Sequence, residues 1–272
     1  MKIRTVSFLS CFFLIAALYA GEMPLDSLIQ HVETRLNSYT DYDTFSVSVV
    51  SVTKQMDKQW EPTEEYYIEK KRTVHAKNGE EEIIKAIKKK KGEETDITEQ
   101  VREEQKKAKE KAEKRNKKKE EKSDQTEEEE NGQISLDLED ILPFDKDKRD
   151  LFEFCLLPDT VIFSSAAYSI GVKVKEVSEQ RYEGQYYFDK KTYDLLFVDV
   201  TPSKNPKFVK AFNIKMWFGL LDNRYLIVTR DSMRIFAGFL IKKIRMENNE
   251  TYSDYQIVPN IGVSEKDKRD LE

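Results

Sequence analysis

The stretch from Tyr182 to Val258 restricts what this chain can fold into more than any other part of it. Taken in twos, it reads Leu196, Val198 and Val200, then Phe208, Phe212, Ile214, Met216 and Phe218, then Leu226 and Val228, then Phe236, Leu240, Ile244 and Met246. Apolar residues alternating with polar or small ones, and broken by Asp, Asn, Gly and Pro, describe strands with one dry face and one wetter face. A consecutive series of such strands predicts an antiparallel meander. Its dry side must be covered by a second sheet, a helix or the apolar part of a ligand.

Upstream, Lys2 and Arg4 precede an apolar run from Val6 to Leu18 that ends in Leu18-Tyr19-Ala20. The run is too short to span a bilayer and has the layout of a secretory signal peptide, so residues 1–20 are expected to be cleaved after Ala20. Only Cys155 then remains, which leaves no internal disulfide and puts the burden of stability on the core. Lying between Phe154 and Leu156, Cys155 is expected to be a buried, inert thiol.

Leu25, Leu28, Ile29, Val32 and Leu36 recur at helical spacing behind Pro24, which predicts an amphipathic helix whose stripe needs a partner surface. Phe45 to Val52 reads as a strand. Glu64 to Ala76 reads as another, with Tyr66, Ile68, Lys70, Arg72 and Val74 on one side. Asn78-Gly79 signals a hairpin turn leading into a return strand over Glu81 to Ala86. Further strands are expected over Leu151 to Leu157, ended by Pro158, and over Ser169 to Val177.

The charged fraction of 36% is concentrated between Lys88 and Glu130. Residues 93–131 read as an insert, a solvated helix or a disordered segment, without the apolar positions of a coiled coil. Ile134 to Phe144 returns to apolar surface, and residues 263–272 form a polar tail. A single domain over residues 21–262, interrupted by the insert, is the expected organisation.

Catalytic patterns are missing. The two histidines, His31 and His75, lack spaced ligand partners, and no phosphate loop, nucleophile elbow or dinucleotide fingerprint occurs. The sequence therefore points to no enzyme, no metal and no cofactor. A net charge of -5, with Glu interleaved among the Lys, gives no support to nucleic-acid binding. What remains is apolar surface, sufficient for a core and, in a curved sheet under a short helix, for an acyl chain.

The order of elements is similar to that of the outer-membrane lipoprotein-sorting family, the LolA-like proteins. The resemblance is carried by Tyr252-Ser253-Asp254-Tyr255, by Tyr182-Glu183-Gly184 with Tyr187-Phe188-Asp189-Lys190, by Asn205 to Lys210, and by Phe236 to Leu240 followed by Lys243-Ile244-Arg245. It covers most of the chain outside the insert. It implies a mainly β (α+β) fold: a half-open barrel of about eleven strands with helices on its concave face. It also implies a monomeric periplasmic carrier whose partners are acylated lipoproteins or lipids and membrane transport components. Relatives with the same fold bind other lipids or act as sensors, so the alternative is a periplasmic sensor or envelope binding module that uses the sheet and the charged insert to meet a protein partner. Period-two reading nominates Tyr66, Ile68, Leu196, Val198, Ile214, Met216, Phe218, Phe236 and Leu240 as the lipid-facing set.

Overall fold

The meander is completed by a strand from the other end of the chain. In the computed structural model, which describes residues 23–75, 78–120, 138–239 and 242–259, β1 (Thr44–Met56) lies between β2 (Pro62–His75) and β11 (Lys242–Val258). β3 (Asn78–Lys90) and β4 (Glu93–Asp96) extend the sheet beyond β2. On the other side β11 is followed in space by β10 (Tyr225–Phe239), β9 (Val209–Leu221), β8 (Leu195–Pro202), β7 (Tyr182–Asp189), β6 (Ser165–Val174) and β5 (Phe152–Ile162). Every pairing is antiparallel. The eleven-stranded sheet is curved and stays open, with β4 and β5 at its two edges. The expected signal peptide, the last residues of the charged insert and the tail lie outside the described residues.

α1 (Leu25–Leu36) forms where the helical spacing places it, with Pro24 at its start, Asp26 in the first turn and Arg35 in the last. Leu28, Ile29 and Val32 are its buried residues, and Leu28 and Val32 join the main core with side chains from β5 to β10. At about 1.5–3 kcal/mol per buried aliphatic side chain, these few residues contribute several kcal/mol to holding the helix on the sheet.

The charged stretch starts later than its composition suggests. Lys88 to Lys90 continue β3, because Lys88 and Lys90 both reach Glu64 across the ladder, and Glu93–Asp96 folds back as β4. Bonds from Lys88, Lys90 and the Tyr66 hydroxyl hold the Glu64 carboxyl down to about 2. Only then does α2 (Thr98–Glu120) begin. It runs beside the part of β3 that β4 leaves uncovered: Thr98 bonds to Ala86, Arg102 donates to the carbonyls of Ile83 and Ile84, and Gln105 donates to that of Glu81. Helix side chains thus occupy backbone acceptors that a further strand would otherwise take.

Three local expectations change. Asn78-Gly79 is not the turn: Asn78 pairs with His75 and Gly79 with Val74, so both already belong to β3. Burial of Ile83 and Ala86 fixes that register. Pro158 does not end β5, because the strand lies at the sheet edge and continues through an irregularity between Leu157 and Thr160, where a missing N–H costs nothing. Cys155 is exposed, because Phe154 and Leu156 turn toward the core and strand alternation sends the residue between them to the other face.

Candidate functional site

The face that carries α1 is divided into an apolar half and an ionic half. Across β6 to β9, Ile170, Tyr186, Val198 and Met216 stand side by side in register, flanked by the row Val172, Gly184, Val200 and Ile214. Gly184 is required in its row. Its φ is +151°, and a Cβ there would lie 2.2 Å from the carbonyl oxygen of Asp199. Leu28 and Val32 of α1 cover this surface together with Ile141, at the end of α3 (Leu138–Ile141), and Phe144. The buried Tyr186 hydroxyl donates to the Ile141 carbonyl at 2.6 Å, and Phe144 packs edge-on to Tyr186 and Phe188.

The cover is fastened mainly at one end. Asp194, in the β7–β8 connection, accepts from Arg35 Nε at 2.6 Å and from the Tyr39 hydroxyl at 2.9 Å, and its other oxygen accepts from Thr192. Burial, reinforced by the Asp194 charge, pushes the Tyr39 phenol up. Arg149 reaches Glu33 at 3.4 Å, and His31 stacks on Tyr193 with ring centroids 4.9 Å apart.

The ionic half continues the same rows. Met216 pairs across the ladder with Asp231, Asp231 with Glu250, Glu250 with Ser51, and Ser51 with Ile68. Glu250 receives Lys70 at 3.2 Å and Arg72 at 3.3 Å, and both cations also reach Glu81, at 3.0 and 2.8 Å. The Tyr252 hydroxyl lies 2.5 Å from Asp231 Oδ2 and 2.8 Å from Glu250 Oε2. Burial works against ionised Glu250, but Lys70 and Arg72 outweigh it and bring its pKa below the usual value. Among the described residues Asp231 makes no ion pair, and besides Tyr252 only the more distant charge of Arg72 and the Glu250 backbone favour its ionised form. Burial pushes its carboxyl up to about 6, with a further push from Glu250 and a partial return from Tyr252.

A bulge brings the second tyrosine of Tyr252-Ser253-Asp254-Tyr255 onto this face as well. Two residues three apart in a regular strand point opposite ways, but β11 gains a residue against β1 between Ser48 and Ser46, with Asp254 at φ 54°. Tyr255 consequently faces inward and its hydroxyl bonds the Val228 carbonyl at 2.6 Å.

Among the nominated lipid-facing residues, Val198, Ile214, Met216 and Phe218 stand together in the main core. Tyr66 and Ile68 share the face but lie on β2, beyond the ionic network, where Lys88 sits over the Tyr66 ring. Leu196 is half-buried at an irregularity where Phe188 pairs with Leu195, and Leu195 is the residue that enters the core. Phe236 lies on the opposite face from Ile235, between Lys210 and Arg245. Leu240 lies outside the described residues. The residues that sequence reasoning missed are Asp231, Glu250 and Tyr252. The available signal was Lys70 and Arg72 in phase with Tyr66 and Ile68, cations placed on an inward face that need buried counter-charges.

A cavity of about 750 Å³ is bounded by Glu69, Ile84, Lys85 and the start of α2, and one of about 300 Å³ by Glu65, Tyr67, Lys85 and Ile87. Both adjoin β2 and β3 away from the apolar half, which α1 closes. Among the described residues no group of three or more His, Cys, Asp or Glu is placed to hold a metal ion.

No protein-family model and no curated protein matches the chain. Among solved structures it is similar to a domain described as an outer membrane lipoprotein-sorting protein from Vibrio parahaemolyticus, at 9% identity over 89% of this chain and 96% of that one, with a TM-score of 0.38. It is also similar to a LolA superfamily protein from Nitrosomonas europaea, at 11% identity over 87% and 94% of the two chains and a TM-score of 0.36. A DUF1329 family protein from Desulfovibrio piger aligns at 11% identity over 90% and 96%, with a TM-score of 0.38.

Proposed function

We propose that the chain is a periplasmic carrier that holds the acyl chains of a lipoprotein or lipid against the apolar half of its inner face and delivers them toward the outer membrane, with α1 as a movable cover. The observation that supports this reading is the mismatch between surface and cover. Apolar side chains from six strands are closed by a twelve-residue helix with three buried side chains, helped by Ile141 and Phe144 from the segment that follows the charged insert. Releasing those side chains costs roughly 5–9 kcal/mol, and an acyl chain returns about 0.8 kcal/mol per buried CH₂. An exchange of helix for hydrocarbon therefore lies near balance, as reversible loading requires. The cargo would be handed on by membrane transport components, with the carrier itself a monomer.

The test is extraction of the purified protein and identification of bound species by mass spectrometry, followed by titration with a fluorescent diacyl lipopeptide. Val32→Ala, which loosens the cover, should increase uptake. Absence of any apolar guest, together with uptake unchanged in Val32→Ala, would overturn the carrier reading.

A second reading is an envelope sensor or binding module that meets a protein partner through α2. It is favoured by the charged, solvent-facing surface of that helix, which is fastened to β3 through its first turns. Reversing the exposed charges at Lys106, Lys107 and Lys111 should abolish partner capture and leave lipopeptide uptake intact on this reading.

A further inference from the structure

The contacts around Tyr252 contain more acceptors than protons. Its hydroxyl carries one hydrogen, yet lies within hydrogen-bond distance of a carboxylate oxygen of Asp231 and one of Glu250. If both acids were ionised, one of these short contacts would set lone pair against lone pair. The two acids also face each other directly across the β10–β11 ladder, where like charges oppose pairing.

The surrounding charges decide which acid is neutral. Glu250 is served by Lys70 and Arg72 from β2, and both cations are shared with Glu81 on β3. Met216 faces Asp231 from β9 and is apolar, Tyr255 on β11 contributes a phenol, and among the described residues Arg72, over the Tyr252 ring, is the one cation whose charge reaches Asp231, without offsetting its burial. Three carboxylates thus stand against two cations. The other oxygen of Asp231, Oδ1, is buried with no hydrogen-bond partner, which is costly for an anion and tolerable for a neutral acid.

We propose that Asp231, Tyr252 and Glu250 hold one proton beyond the phenol's own, in a relay in which Asp231 donates to Tyr252 and Tyr252 to Glu250, and that loss of this proton loosens the β10–β11 ladder. The network is a pH-sensitive joint in the sheet, next to the apolar half at Met216, and it does not depend on the carrier reading. The elevated carboxyl of Asp231 agrees with it. Because the folded chain then binds this proton more tightly than the unfolded chain does, the contribution of this proton to stability is fully present below the ordinary carboxylate range and is lost as pH rises through about 6.

The test compares the unfolding equilibrium of the wild type and of Asp231→Asn, which keeps a neutral, donating side chain, across the mildly acidic range. Over the whole titration, from below the ordinary Asp value to above about 6, the wild type should lose roughly a hundredfold in folding constant relative to the variant. In the wild type, ¹³C NMR of the Asp231 carboxyl should show its titration above the ordinary range, and exchange of the β10–β11 amides should accelerate over the same interval. Parallel pH profiles for the two proteins, or a carboxyl that titrates as an ordinary aspartate, would overturn the proposal. The NMR measurement decides even if the variant does not fold.

Discussion

Leu28→Ala distinguishes a separable cover from an integral part of the core. Leu28 is fully buried between α1 and the sheet, and truncation at such a site costs about 2–5 kcal/mol through lost transfer energy and the cavity left behind. The three buried side chains of α1 together supply roughly 5–9 kcal/mol, so one substitution removes a large share of the docking energy. If α1 releases on its own, its docked population relative to the released one falls roughly thirty-fold to a few thousand-fold, at about 1.4 kcal/mol per factor of ten. Hydrogen exchange followed by mass spectrometry reads this directly. Amides in 25–36 should exchange faster by that factor, while those in 186–200, at the centre of the sheet, stay close to wild-type rates. Equal acceleration in both segments would mean that the helix opens only when the sheet unfolds, and the reasoning for a movable cover would fail.

Other substitutions probe the frame. Gly184→Ala places a methyl group 2.2 Å from the Asp199 carbonyl in a backbone conformation that L residues avoid, and should cost about 2 kcal/mol or more in a urea titration. The β5–β6 hairpin turns through Phe163 and Ser164, both at positive φ, so Phe163→Asn with Ser164→Gly should raise the urea midpoint by the equivalent of about 1 kcal/mol. Arg102→Ala strips two β3 carbonyls of their donor, and light scattering should then detect concentration-dependent association through that edge.

The alternation between Tyr182 and Val258 was enough to read the meander, and the spacing of Leu28, Ile29 and Val32 was enough to read α1 and its need for a partner. What could not be read was the phase of individual strands after an irregularity. Leu226 and Val228 set an even-numbered inward phase in β10. The register then slips between Val228 and Arg230, so Met233 and Ile235 face the core and Phe236 faces out. The same cause separates Leu196 from Leu195 and turns Tyr255 inward. A bulge is fixed by pairing with a neighbour distant in sequence, so a window along one strand does not contain it. The ionic half was hidden for a related reason. Lys70 and Arg72 are ordinary residues until β1 and β11 bring Glu250, some 180 positions away, to meet them.

On the carrier reading, the fastening of α1 at Asp194 would make the helix a lever with its pivot at the Arg35 and Tyr39 end. A lid attached this way would swing out from its Leu25 end and stay tethered, so its return would compete with any guest at a local concentration fixed by the tether and independent of dilution. Guests that enter slowly would be shut out by a recoil that is always close at hand, and only hydrocarbon already presented at the mouth would gain entry.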